Sequence, residues 1–131
     1  MILDTDFLIS LKAEDESALQ LAAELETMGI PTRIPTVVLQ QLYVSVGAGT
    51  DSHGNARHYE ALVATKPVVP LDENIARRAG ALEGQHAVSD AKPDLDPADA
   101  VVAATGLVYN EPVVSNDRDF RFVEGLEVEP Y

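Results

Sequence analysis

The sequence predicts an α/β fold: a three-layer sandwich with a mostly parallel central sheet of four to five short strands, flanked by helices. Two observations carry this. The period of the apolar residues switches repeatedly between strand-like and helix-like along the chain. Short apolar runs alternate with helical stretches, the pattern of a parallel sheet covered by helices. A third observation points to a site. Pairs of acids, Asp4 and Asp6, Asp96 and Asp99, Asp117 and Asp119, lie far apart in sequence, each at the edge of an apolar run.

Element by element, Met1-Ile2-Leu3 reads as a buried strand, and Phe7, Leu8 and Leu11 follow at helical spacing. A second helix is predicted over about residues 15–28, with Leu19, Ala22, Ala23 and Leu25 turned inward and Gly29 as its stop. Thr32-Arg33-Ile34 is a second strand, and Pro35 suits the first turn of a helix that carries Val37, Val38, Leu39, Leu42, Tyr43 and Val46. Residues 49–55 are polar and Gly-containing and read as a loop, followed by a short helix over 56–64. Residues 68–71 form a third strand, and Asp72 caps a helix to about Val88. After a loop over 89–95, Asp96-Pro97 makes a helix start, with an Asp cap and Pro at the first position. Val113-Val114 is a fourth strand and residues 126–128 a fifth; there is no internal repeat or linker.

The chain of 131 residues reads as a single domain over 1–131. Its hydrophobic content of 46% excludes a disordered acidic tail, and the absence of Cys excludes disulfides and thiolate metal sites. The opening residues carry no basic signal-peptide region, and no apolar stretch approaches the roughly 18 residues of a membrane span. A cytoplasmic protein is the expectation. With 22 acids against 9 bases, the net charge of −13 argues against a polyphosphate partner at long range. The acids are widely spread and Lys is scarce, which reads as a surface adapted to concentrated salt, as in a halophile; an ordinary acidic protein is the plainer alternative. At molar salt the Debye length is about 3 Å, and net charge matters little beyond contact.

In open parallel sheets, ligands bind outside the carboxyl ends of the strands, and Asp4 and Asp117 both fall just after a strand. Each acid has a structural explanation of its own. Asp4 suits a helix cap, with Asp6 solvated; Asp99 suits the third position of a helix capped by Asp96; Asp117 and Asp119 suit an Asx turn. Together, three acidic clusters brought to one place repel unless a cation sits between them, and oxygen-ligated Mg²⁺ or Mn²⁺ is the natural one. That points to a metal-dependent phosphodiester hydrolase. His53, His58 and His86 lack ligand spacing and read as surface residues; Arg118 and Arg121, beside Asp117, are within reach of a phosphate.

With these residues assembled, the chain resembles the PIN-domain family, most closely its VapC-type toxin ribonucleases, over essentially its whole length. The segment Ile2-Leu3-Asp4-Thr5-Asp6-Phe7-Leu8-Ile9 resembles the family's opening strand, Asp99-Ala100-Val101-Val102-Ala103-Ala104-Thr105 its acidic helix start, and Val114-Ser115-Asn116-Asp117-Arg118-Asp119-Phe120 its late strand-to-loop motif. The resemblance implies metal-site carboxylates at Asp4, Asp99 and Asp117, with Asp119 in support, and Ser115 and Asn116 shaping the loop. It also implies Mg²⁺ or Mn²⁺, endonucleolytic cleavage of single-stranded or looped RNA, a homodimer, and a VapB-type antitoxin partner.

One position departs from the family pattern. Val38-Leu39-Gln40-Gln41-Leu42 puts Gln41 where the family usually has Glu, which keeps the shape but loses a charge. Natural divergence and deliberate inactivation would both leave this mark. Weaker metal binding and reduced activity are expected, with Gln41 a weak ligand or the orienter of a water. The alternative is a catalytically impaired PIN-like module that binds RNA or a protein. A receiver-type phosphoacceptor domain ranks lower, because the late strand is followed by Asn116-Asp117 and no Lys.

Overall fold

The computed structural model describes residues 1–49 and 52–131. The elements in order are β1 (Ile2–Leu3), α1 (Thr5–Lys12), α2 (Glu16–Thr27), β2 (Ile34–Pro35), α3 (Thr36–Ala48) and α4 (Ser52–Val63), then β3 (Val68–Val69), α5 (Glu73–Ala87), α6 (Pro97–Tyr109) and β4 (Val113–Val114), and finally a 3-10 turn, η1 (Arg118–Phe122), and β5 (Val128–Glu129). Local chemistry explains most boundaries. Asp15, Asp72 and Asp96 each accept a hydrogen bond from the third residue beyond, capping α2, α5 and α6. Gly29 takes a left-handed φ of 66° after α2, which lets the Ile30 amide reach back to the Leu25 carbonyl at 2.9 Å.

Among the described residues all strand pairs are parallel, but the sheet is smaller than expected. Its pairing divides into a three-stranded unit, β1-β4-β5, and a two-stranded unit, β2-β3. A single bridge, Ile2 to Arg33, joins them, with the Leu3 amide bonded to the Arg33 carbonyl at 2.9 Å. The second strand is therefore Ile34–Pro35, one or two residues later than predicted, and Pro35 caps α3 from outside it. Proline is tolerated there because a strand's end needs no further amide donor.

Two further expectations are corrected. Residues 52–55, predicted as loop, form the first turn of α4, while Thr50 and Asp51 lie outside the described residues. Tertiary contacts outweigh the weak local propensity of Ser52, Gly54 and Asn55. Asn55 accepts a hydrogen bond from Lys12, whose ammonium also lies over the ring of the buried Tyr59. On α2 the inward face is Ala18, Leu21, Ala22 and Leu25, whereas Leu19 and Ala23 are exposed. Both sets fit a 3.6-residue period, and only the packing against α1 selects one.

The core gathers Ile2, Leu3, Phe7, Leu8, Val102 and Phe120, all fully buried. Helix α6 lies close to the sheet because its inner face is Ala100, Val102, Ala103, Ala104 and Gly106. A Cβ on Gly106 would stand 2.7 Å from Leu126 Cδ1 and 3.0 Å from Val113 Cγ2. Gly106→Ala is therefore expected to destabilise the fold by about 1–3 kcal/mol despite alanine's better helix propensity, a test for urea unfolding. An unchanged or raised midpoint would refute this close approach.

His86 is not on the surface: it is 1% exposed between α5 and the connection to α6. Its Nδ1–H donates to the Pro93 carbonyl at 2.9 Å, since a carbonyl can only accept, and its Nε2 meets no partner. The expectation failed because burial of His86 depends on the connection before α6 folding back onto α5. Among the described residues, no helix is long and apolar enough to cross a membrane.

Candidate metal centre

The register of β1 on β4 builds the centre. Leu3 pairs with Val114, so the next residues, Asp4 and Ser115, emerge side by side at the carboxyl ends of adjacent parallel strands. The Ser115 hydroxyl donates to Asp4 Oδ2 at 2.8 Å and accepts from the Asp117 amide at 3.0 Å. Asp4 Oδ1 accepts from the Thr5 amide at 2.8 Å, at the start of α1. One serine oxygen thus ties the first acidic cluster to the third.

The remaining acid comes from α6. Asp96 Oδ1 accepts from the Asp99 amide at 2.8 Å, which fixes the first helical turn. Leu95 and Ala100 are buried on either side of it. Asp99 is half-buried, and the charges acting on it are those of Asp96, Asp4 and Asp117. The three sequence-separated clusters therefore do converge.

Their electrostatics show what convergence costs. Asp4, 4% exposed, has its pKa raised to about 6, chiefly by burial. The hydrogen bonds from Ser115 and Thr5 pull it back down, while Asp6 and Asp117 push it up. Asp99 is raised to about 7, again first by burial and then by Asp96, Asp4 and Asp117. Two carboxyls shifted towards neutrality in one cluster make it the candidate functional site.

The other expected residues fall as follows. Gln41, half-buried on α3, accepts a hydrogen bond through Oε1 from the Thr5 hydroxyl, one residue from Asp4. Asp119 meets Asp117 through its backbone, its amide donating to Asp117 Oδ1 at 2.9 Å. Its carboxylate is not among the charges acting on Asp4 or Asp99. Asn116 grips the backbone of Tyr131 at both N–H and C=O, at 2.8 and 2.9 Å. That places the Tyr131 ring edge-on to Phe7, with a phenol pKa raised by burial and then by Asp6 and Asp4, only partly offset by a hydrogen bond with Ser10. Thr5 and Tyr131 were not anticipated; Thr5's place between two aspartates is the only local signal for either.

The donor set fits a hard divalent cation, being oxygen-only and mutually repelling, with Asp4 buried and Asp99 and Asp117 half-buried. Among the described residues, no three Asp, Glu or His side chains stand gathered as a ready-made cage. A cavity of about 540 Å³ lined by Leu3, Phe7, Leu11, Leu25 and Lys66 includes none of the clustered acids. It is mainly apolar, so the acids and not this hollow mark the chemistry.

These features define an α/β protein with an acidic cluster at the carboxyl ends of parallel strands. The PIN domain family model matches residues 1–126, and the chain belongs to that family. No curated protein sequence matches it. Among solved structures, it is similar to a chain of VapBC2 from Rickettsia felis bound to a DNA fragment from its promoter. The TM-score is 0.88 at 15% identity, covering 99% of this chain and 97% of that one. A chain of DNA-bound VapBC from Salmonella typhimurium gives 0.85 at 19% identity, covering 98% and 96%. VapBC-5 from Mycobacterium tuberculosis, of the VapBC family of toxin–antitoxin systems, gives 0.67 at 26%, covering 98% and 94%.

Proposed function

We propose that this chain is a metal-dependent endoribonuclease of VapC type, the toxin of a toxin–antitoxin pair, with activity lowered by Gln41. The observation that carries this reading is the convergence of Asp4, Asp99 and Asp117 within a PIN fold, with two of them raised to about 6 and 7. Asp4, Asp99 and Asp117 would hold Mg²⁺ or Mn²⁺. When bound, such an ion activates water and neutralises charge on the scissile phosphate. Ser115 keeps Asp4 and the Asp117 backbone in register through its two hydrogen bonds. Thr5 holds Gln41 beside Asp4, where a glutamate would add a fourth negative charge. Asp119 supports Asp117 through its amide.

A VapB-like antitoxin belongs to the same reading, supported by structural neighbours that are toxin–antitoxin complexes; a homodimer belongs to it as what the resemblance implies. Adaptation to high salt fits the acidic composition, and a cytoplasmic location is part of the same proposal. The second reading, a catalytically impaired module, rests on Gln41 alone.

The deciding assay is Mn²⁺-dependent cleavage of single-stranded and looped RNAs at high KCl. Cleavage that stops with a chelator supports the enzyme. No cleavage of a broad panel, by the folded chain or by Gln41→Glu, would move the conclusion to a binding module.

A further inference from the structure

A polyanionic substrate must find cations on a protein of net charge −13. Of the nine Lys and Arg, several are committed elsewhere. Arg33 pairs with Glu111, Arg77 with Glu73, Lys12 bonds Asn55, and Lys66 bonds the Leu62 carbonyl. Arg57 lies on α4, Arg78 on α5 next to Arg77, and Lys92 in the connection from α5 to α6. Arg118 and Arg121 differ. Both are exposed, both lie in η1 immediately after Asp117, and neither side chain makes a hydrogen bond or ion pair among the described residues.

The turn that carries them is rigid. Asp117 caps it, and Phe120 and Val123 are buried in the core. In a 3-10 helix, residues three apart eclipse, which puts Arg118 and Arg121 on one face. On the adjoining face, which the same period gives to Asp119 and Phe122, Phe122 is 47% exposed, a large aromatic ring with no core role. Two unpaired guanidiniums and a free ring next to the acidic cluster match the phosphates and unpaired bases of a single strand. An acidic peptide would satisfy the arginines but leave the ring and the neighbouring acids without a role.

We propose that η1 is the substrate platform of this protein: Arg118 and Arg121 hold phosphates flanking the scissile bond, and Phe122 stacks on an unpaired RNA base. The proposal rests on the ribonuclease reading and adds how the strand is gripped.

The test measures binding of a short fluorescent single-stranded RNA and of its duplex across a KCl series, in Mg²⁺, on an Asp4→Asn background to prevent cleavage. Arg118→Gln with Arg121→Gln is expected to raise Kd about tenfold at low salt and to flatten the salt slope by about 1.4, roughly 0.7 per phosphate contact. Phe122→Ala is expected to weaken single-strand binding about fivefold or more, with the slope and duplex binding unchanged. All three side chains are exposed, and the melting temperature and Mn²⁺ affinity should not move. Unchanged Kd and slope in these variants would overturn the proposal, as would a parent chain that binds no RNA. Competition by polyglutamate as strong as by RNA would reassign the surface to an acidic protein. If the unsubstituted chain cleaves RNA while the variants bind normally, the ribonuclease reading survives and the platform fails. If it cleaves nothing but the variants lose binding, the platform stands and catalysis is retired.

Discussion

Asp4→Asn is expected to abolish RNA cleavage, by on the order of a thousandfold or more, and yet to stabilise the metal-free protein above pH 6. Both effects come from one buried charge. The Asp4 pKa is 3.8 in an ordinary setting and about 6 in the fold. The folded protein therefore holds this proton more tightly than the unfolded chain does. The group's contribution to stability is greatest below 3.8, falls as pH rises to about 6, and stays low above that. The shift corresponds to about 3 kcal/mol, an upper bound for the gain from a neutral isostere. Asn does not titrate, so the variant's advantage opens across that window. Asp99 acts in the same direction up to about pH 7.

Saturating Mn²⁺ should reverse the ranking. A hundredfold excess over Kd stabilises a binding-competent chain by about 2.7 kcal/mol, and the variant has lost a ligand. Melting scans below and above pH 6, with and without Mn²⁺, read all of this. Equal Mn²⁺ stabilisation of both proteins would show that Asp4 does not see the ion.

Gln41→Glu is the opposite experiment. The new carboxylate can accept the same Thr5 hydroxyl bond and adds a negative charge beside Asp4. Mn²⁺ affinity and cleavage rate are each expected to rise about tenfold, because hard-cation sites strengthen with ligand charge. Without metal the variant should be less stable, since another like charge raises the cost of ionising the cluster. Calorimetric titration with Mn²⁺ decides it. An unchanged affinity would mean that residue 41 serves only as a partner for Thr5.

Much of this protein is local information. Asp15, Asp72 and Asp96 cap their helices as their positions predict, because a cap depends on a side chain and an amide three residues away. The apolar strands at Ile2–Leu3, Val68–Val69 and Val113–Val114 also follow from short-range pattern. The failures share a different cause. The start of α4 depends on Lys12 reaching Asn55 across 43 residues. The inward face of α2 and the burial of His86 depend on which neighbour covers them. The division of the sheet into β1-β4-β5 and β2-β3 depends on pairing between distant segments.

The same boundary runs through the site. The sequence by itself determined that Asp4, Asp99 and Asp117 stand at the ends of rigid apolar elements, since period and capping act within a few residues. Only the tertiary structure decided that they meet. Parallel pairing of Leu3 with Val114 brings Asp4 to Ser115 across 111 residues, and α6 adds Asp99 from a third direction. The raised proton affinity of these acids is decided there too. It arises from burial and from the mutual repulsion of charges that the chain holds far apart until it folds.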